Sequence, residues 1–370
     1  MGKKPLKIIH IDTGREWRGG QQQVFYLHEG LCRRRIRSEL WAPIDSPLVA
    51  QCRLNGLPYR EFQYRGETDL ILARQIARYS RYYGVSILHL HTGHAVTIGL
   101  LAKLFYPTLK LIASRRVDFS IQRNRISFYK YRSDRLDRIV CISRTIQDVL
   151  MKDGIPEEKL ITIYSGIDRH RFDTEIPDTE LAERIGWQAG GLIIGTIAAL
   201  TGHKDYPTLI RAARFVIDQV PETRFIAMGE GAERPVIEKM IVQLGLQRSF
   251  FLLGHVVQPG SILKCLDIFA LSSKKEGLGT AVLDALALGL PVVACRGGGI
   301  PEMITHDENG CLTPAQNPRK LAEALLELIR NPKKRQKISG NARSSTEKFD
   351  ISTTIENNLQ LYRQLLSTKT

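Results

Sequence analysis

Short apolar runs recur along the chain with helix-period stretches between them. In the first half they fall at residues 7–12, 39–43, 86–92, 109–115, 138–143 and 160–165. In the second half they fall at 192–198, 223–228, 250–254, 267–272, 291–295 and 310–313. Many are nearly continuous in apolar residues rather than alternating, which predicts parallel strands buried on both faces. Between them, segments such as 21–33, 69–82, 209–219 and 236–244 carry apolar residues at helical spacing. Strand–helix units repeated in this way predict doubly wound parallel sheets. The alternation lapses at 168–190, which is polar, contains Pro177 and lacks a strong strand. The expected organisation is therefore a first domain over 1–170, a linker at 171–190 and a second domain over 191–350. Residues 351–370 carry Ile355, Leu359, Tyr362 and Leu366 at helical spacing and are expected to form a closing helix. Ligands of open parallel sheets bind beyond the carboxyl ends of the strands. Two such domains facing across a cleft predict a two-substrate layout.

Composition narrows this picture. With 43% hydrophobic and 25% charged residues in 370, the chain reads as globular, not disordered, and long enough for two cores. No run of about 18 apolar residues predicts a spanning helix, and no apolar signal core follows Met1. The six cysteines form no CxxC pair and read as ordinary thiols of a reducing compartment. The expected location is cytoplasmic. The formal charge of +15 is uneven: residues 1–170 hold 29 Lys/Arg against 16 Asp/Glu, and residues 171–370 hold 24 against 22. A basic first half points to a polyanionic partner. Nucleic acid, an anionic membrane surface and a phosphorylated acceptor all satisfy that condition, and charge alone does not choose among them.

The densest chemical signal is Glu276-Gly277-Leu278-Gly279-Thr280-Ala281-Val282-Leu283-Asp284, followed by Gly289-Leu290-Pro291-Val292-Val293 and Gly297-Gly298-Gly299-Ile300-Pro301-Glu302. A strand leads into a glycine turn and then a helix, whose amino end offers free N–H groups to a phosphate. Glu276 precedes the helix and Asp284 lies inside it, so both acids can face one ligand. The stretch resembles the acid–seven–acid signature of retaining glycosyltransferases of sequence family 4, which have the GT-B fold. The resemblance implies two Rossmann-like domains and a nucleotide-diphosphate sugar donor (UDP-, GDP- or ADP-linked), with no tightly bound cofactor and no metal. It assigns Glu276 to the sugar hydroxyls, Asp284 to the ribose, and the backbone of Gly277, Leu278, Gly279 and Thr280 to the diphosphate, with Glu302 nearby. The family usually has Glu where Asp284 stands, one methylene longer.

Further pieces follow in family order. Trp17-Arg18-Gly19-Gly20-Gln21 resembles the Gly-Gly loop, placing Gly19 and Gly20 near a donor phosphate. Lys204 matches the lysine that neutralises the leaving diphosphate. Ala198-Ala199-Leu200 stands where the family places an arginine, which leaves Arg18 or His203 to compensate. Met228-Gly229-Glu230-Gly231 resembles a Gly-acid-Gly turn of the donor lobe and brings in Gly229.

His89, His91 and His94 form an HxHxxH cluster at a strand end, with His89 and His91 on one face by the two-residue period. Three histidines suffice for a metal, yet no carboxylate adjoins them. The expectation is a polar strand end on the acceptor side, with no metal and with His94 contacting sugar or acceptor. Many family members carry a histidine after the next strand; here Ser114-Arg115-Arg116-Val117-Asp118 stands in its place. Asp118 is a candidate to orient the acceptor hydroxyl or to pair with an arginine. Residues 115–138 hold eight basic side chains, among them Arg115, Arg116, Arg123 and Arg125, interleaved with Phe119, Phe128, Tyr129 and Tyr131. With the transferase signature, this segment implies a phosphorylated or lipid-linked glycan acceptor and an anionic membrane surface, not nucleic acid. The expected function is retaining sugar transfer in lipopolysaccharide or other cell-surface glycan synthesis, at the inner face of the cytoplasmic membrane. A sugar-nucleotide 2-epimerase and a non-catalytic basic binding module are the competing expectations.

Overall fold

The computed structural model describes residues 6–367; the side chain of Arg123 also lies outside the described residues. The chain forms two compact units, one of residues 1–166 with 351–370, the other of residues 167–350.

The first unit is a seven-stranded parallel sheet: β1 (Lys7–Ile11), β2 (Arg37–Pro43), β3 (Tyr59–Phe62), β4 (Ile87–Leu90), β5 (Lys110–Arg115), β6 (Arg138–Cys141) and β7 (Leu160–Thr162), in the order 3-2-1-4-5-6-7. β3 is the strand that apolar patterning missed. Its sequence Tyr-Arg-Glu-Phe reads as polar because it is an edge strand, with Arg60 exposed and only Phe62 buried. The second unit is a six-stranded parallel sheet: β8 (Ile193–Ile197), β9 (Arg224–Met228), β10 (Phe250–Gly254), β11 (Ile268–Leu271), β12 (Val292–Cys295) and β13 (Cys311–Thr313), in the order 10-9-8-11-12-13. In each sheet the strand order reverses once, between β1 and β4 and between β8 and β11. Such reversals open a crevice at the carboxyl ends where ligands bind.

The closing helix, Ile351–Ser367, returns to the first unit and lies against the helix Gly19–Arg33. Ile355, Leu359, Leu361, Tyr362 and Leu365 join Ile8, Leu27, Leu31 and Ile87 in one core. A side chain at Gly30 would collide with Ile355, so glycine permits the close crossing. Leu366, expected in the apolar stripe, is 38% exposed, and Leu365 takes the inward position.

The stretch 171–190, expected as a linker, is packed into the second unit. Phe172, Leu181 and Ile185 are buried, and Lys264 Nζ donates at 2.6 Å to the carbonyls of both Phe172 and Glu175. Its polar composition reflects capping and backbone contacts that no apolar period records. Among the described residues, no helix is long and apolar enough to cross a membrane.

Candidate functional site

In the second unit the reversal point brings together two loops distant in sequence. After β8 the chain passes through Leu200 into the 3-10 turn Gly202–Lys204. After β11 it runs through Ser272 to Glu276 and then into the helix Thr280–Ala287. Ser272 Oγ donates to the Lys204 carbonyl at 2.9 Å and Lys274 N to the His203 carbonyl at 3.0 Å, so the two loops are stitched together. Lys204 Nζ then meets Glu276 Oε1 at 2.5 Å, and Ser273 Oγ donates to the same oxygen at 2.8 Å. Glu276 is 9% exposed and its Oε2 has no hydrogen bond among the described residues. Two residues singled out 72 positions apart are thus one ion pair.

Glycines make this packing possible. A side chain on Gly298, at φ +54, would collide with the Glu276 carbonyl, and one on Gly297 with that of Ser273. Gly299 N donates to the Glu276 carbonyl at 3.1 Å, so the 297–299 run braces Glu276 from beneath. Gly229 does the same for the other loop, because a Cβ there would collide with the Ala198 carbonyl. Gly279, at φ +92, starts the helix Thr280–Ala287 in the left-handed region, with no side-chain cap and no acid in the first turn. The first N–H groups and the positive end of the helix are left to a ligand. Leu278 is buried, Gly277 and Thr280 are partly exposed, and Glu302 lies half-buried in the turn Ile300–Glu302.

Asp284 is buried one turn inside that helix, where loss of water raises its carboxyl pKa and Arg171 opposes the shift. Arg171 Nη1 donates to Asp284 Oδ1 at 3.2 Å, leaving Oδ2 without a hydrogen bond among the described residues. Arg171 escaped sequence reasoning because it sat in the supposed linker, 113 positions from its partner. Arg171→Met is expected to cost about 3 kcal/mol at pH 7, because it leaves a buried carboxylate unpaired. Burial raises the Asp284 pKa and loss of Arg171 would raise it further, so the variant's carboxylate protonates more readily and the cost shrinks as the pH falls. Urea unfolding at pH 7 and pH 4.5 checks this, and adding Asp284→Asn should recover most of the loss. A single variant as stable as wild type at pH 7 would refute the pairing.

The first unit carries a different cluster. His10, His89 and His91 are buried side by side, with the His89 and His91 rings 4.2 Å apart. All of their nitrogens but His10 Nε2 have a hydrogen-bond partner among the described residues. His10 Nδ1 and His91 Nε2 share a hydrogen bond of 2.9 Å, and His89 meets Tyr362 Oη at 2.6 Å and Ser114 Oγ at 2.8 Å. Arg116 Nη2 reaches His91 Nδ1 at 3.3 Å, a cation that opposes a metal dication beside it. Burial pushes the pKa of His89 down to about 3, that of the neighbouring His28 down to about 4, and those of His10 and His91 far below the usual range. His94 stands apart from this group. It is exposed at the start of the helix Gly93–Phe105, stacked on Tyr64 and bonded to its hydroxyl at 2.7 Å. Gly19 and Gly20 open the helix Gly19–Arg33, and Arg18 pairs with Glu16. Arg115 donates to the Phe119 carbonyl and lies over the Tyr131 ring, while Arg125 begins an exposed short helix, Arg125–Arg132. Asp118 is half-buried in the loop after β5. His203 Nδ1 shares a hydrogen bond of 3.2 Å with Thr201 Oγ1.

Two doubly wound parallel sheets, each with one reversal of strand order, define a GT-B architecture. The family comparisons carry this to a class of protein. Residues 17–171 match the model described as Glycosyltransferase Family 4, and residues 177–345 match Glycosyl transferases group 1. The chain is a GT-B glycosyltransferase of the family 4 type, which favours transfer over the epimerase and the non-catalytic readings. An uncharacterized glycosyltransferase of Methanocaldococcus jannaschii is 26% identical over 319 residues, covering 84% of this chain and 85% of its own. The N-acetyl-alpha-D-glucosaminyl L-malate synthase of Bacillus anthracis is 24% identical over 294 residues, 78% of this chain and 76% of its own. Among solved structures, Anabaena Alr3699/HepE in complex with UDP and glucose superposes with a TM-score of 0.85 at 20% identity, covering 97% of this chain and all of that one.

Proposed function

We propose that the protein is a retaining, metal-independent glycosyltransferase that moves a hexose from a nucleotide-diphosphate donor to a phosphorylated or lipid-linked glycan of the cell surface. The observation that carries this reading is the Lys204–Glu276 pair beside the uncapped helix Thr280–Ala287. Glu276 Oε2 is open to a sugar hydroxyl, and Asp284 Oδ2 is open to the ribose. The backbone of 277–280 and the helix amino end receive the diphosphate, and Lys204 stabilises the charge that develops on it as the glycosidic bond breaks. The leaving phosphate can take the acceptor proton, so retention asks the protein mainly for placement and charge stabilisation. Gly19, Gly20, Gly229 and Glu302 complete the donor surroundings in this reading, and His94 and Asp118 serve the acceptor. Arg115, Arg116, Arg123 and Arg125 supply the attraction for an anionic acceptor or membrane. In support, Ile126 and Tyr129 stand 58% and 72% exposed beside Arg125, the composition of a helix lying on anionic lipid. The nucleotide donor gains support from the UDP-bound relative in structure.

The expected result is selective stabilisation by one nucleotide across a panel of UDP-, GDP- and ADP-sugars. At a hundred times the Kd the gain is about 2.7 kcal/mol. The anomeric configuration of the product, read by NMR, should match the donor. No response to any of the three nucleotides, or an inverted product, would overturn the reading.

A further inference from the structure

Arg116 closes the loop end of β5 and turns toward the ends of β1 and β4. Its only hydrogen bond among the described residues runs from Nη2 to His91 Nδ1, at 3.3 Å. Its Nε is shielded from solvent and has no partner. Among the described residues no carboxylate forms a hydrogen bond or salt bridge with it. Asp12, which acts on it through space, is held by Gly14 N at 2.7 Å and by the Gln21 amide at 3.2 Å.

The neighbouring histidines bring no negative charge. For Arg116 to donate, His91 Nδ1 must accept, so the His91 proton sits on Nε2 and is donated to His10 Nδ1. His10 then carries its own proton on Nε2, the nitrogen that is buried without a partner. The relay is neutral from end to end, and burial holds it so. The guanidinium, its Nε shielded from water without a partner and its Nη2 on a neutral imidazole, feels the Asp12 carboxylate only through space, with no hydrogen-bonded counter-charge.

The surroundings are those of an anion. A Cβ on Gly20 would lie 3.4 Å from Arg116 Cδ, so the bare backbone at the start of the helix Gly19–Arg33 faces this side chain. That helix has no side-chain cap and no acid in its first turn. The helix Gly93–Phe105 also begins without an acid, and the Thr13–Thr92 hydrogen bond of 2.6 Å holds its loop beside that of β1. Arg115 differs in its guanidinium: its Nε is likewise buried without a partner, but Nη2 is tied to the Phe119 carbonyl and the group lies over the Tyr131 ring.

We propose that Arg116, oriented by the neutral His91–His10 relay, binds a phosphate group of a substrate at the Gly19–Gly20 turn, through Nε and the free Nη. This rests on the transferase reading above. The phosphate comes from either the nucleotide donor or a phosphorylated acceptor, and the chemistry of recognition is the same. The test uses the full chain with inorganic phosphate at constant ionic strength, read by calorimetry and thermal unfolding. Wild type should gain stability with phosphate. Arg116→Met should bind phosphate at least tenfold more weakly than wild type. Arg116→Lys keeps the charge but loses the fork and Nε, and should also weaken binding. Phosphate affinity unchanged in Arg116→Lys and Arg116→Met would overturn the proposal. In steady-state assays of Arg116→Lys, a raised KM for the donor assigns the phosphate to the nucleotide, and a raised KM for the acceptor assigns it there. If neither KM moves, the site is not a substrate site. An inactive Glu276→Gln beside unchanged phosphate binding at position 116 would remove this site and leave the transferase reading intact. An active Glu276→Gln would remove that reading by itself.

Discussion

Glu276→Gln is expected to abolish sugar transfer, by on the order of a thousandfold or more, in a protein that remains folded. The substitution keeps the volume and one carbonyl oxygen, so Ser273 and Lys204 can still donate to it. It removes the charge that orients Lys204 and the acceptor oxygen proposed for the sugar hydroxyl. Lys204 would keep its place only through a hydrogen bond to a neutral carbonyl, worth about 1 kcal/mol less to the fold than the ion pair. The glycine run 297–299 contacts the backbone of residue 276, not its side chain, so the loop itself should be undisturbed. Far-ultraviolet circular dichroism and thermal unfolding would establish the fold, and single-turnover assays with a verified donor would measure transfer. Full transfer by the variant would remove Glu276 from the chemistry.

The second large effect is expected on mild acidification. The unfolded chain binds a proton on each imidazole near pH 6.5, whereas the folded chain holds His89 near 3 and His28 near 4 by burial. Depressed pKa values contribute stability that is present above pH 6.5 and is lost as the pH falls toward the folded values. Between pH 7 and pH 5.5 each of these two residues removes about 1.2 kcal/mol, or roughly 2.5 kcal/mol together. His10 and His91 act in the same direction. Few carboxylates titrate in that window, so the histidines dominate the slope. Urea unfolding at the two pH values measures it, and His89→Gln should flatten the slope by its own share. Equal stability at pH 7 and 5.5 would contradict the burial of these rings as neutral groups.

Much of this was legible in the sequence, and for identifiable reasons. Parallel strands covered on both faces are continuous apolar runs, so twelve of the thirteen strands could be placed; β3 was lost because an edge strand keeps polar side chains on its open side. The candidate donor loop was legible as a motif because glycine-dependent backbone contacts and helix starts leave short local signatures around Glu276 and Gly297–Gly299. Arg171 left no such trace. Its role depends on a partner 113 residues away, and a polar turn carrying a structural arginine looks like any linker. The histidines were read as an HxHxxH strand end, but His94 turned to Tyr64 while His10 and His28, from other elements, joined His89 and His91.

By itself, then, the amino-acid order determined the doubly wound class, which is written in local period, and through the resemblance of its glycine-rich acid motif the glycosyltransferase type, with Glu276, Asp284 and Lys204 as the candidates for the donor. Tertiary structure alone decided the pairing of Lys204 with Glu276 and of Arg171 with Asp284, the return of the last helix to the first sheet, and the neutral histidine relay behind Arg116. Those depend on which loops the strand order brings to a common reversal point and on how far burial strips each charge of water, and neither is a property of any one segment.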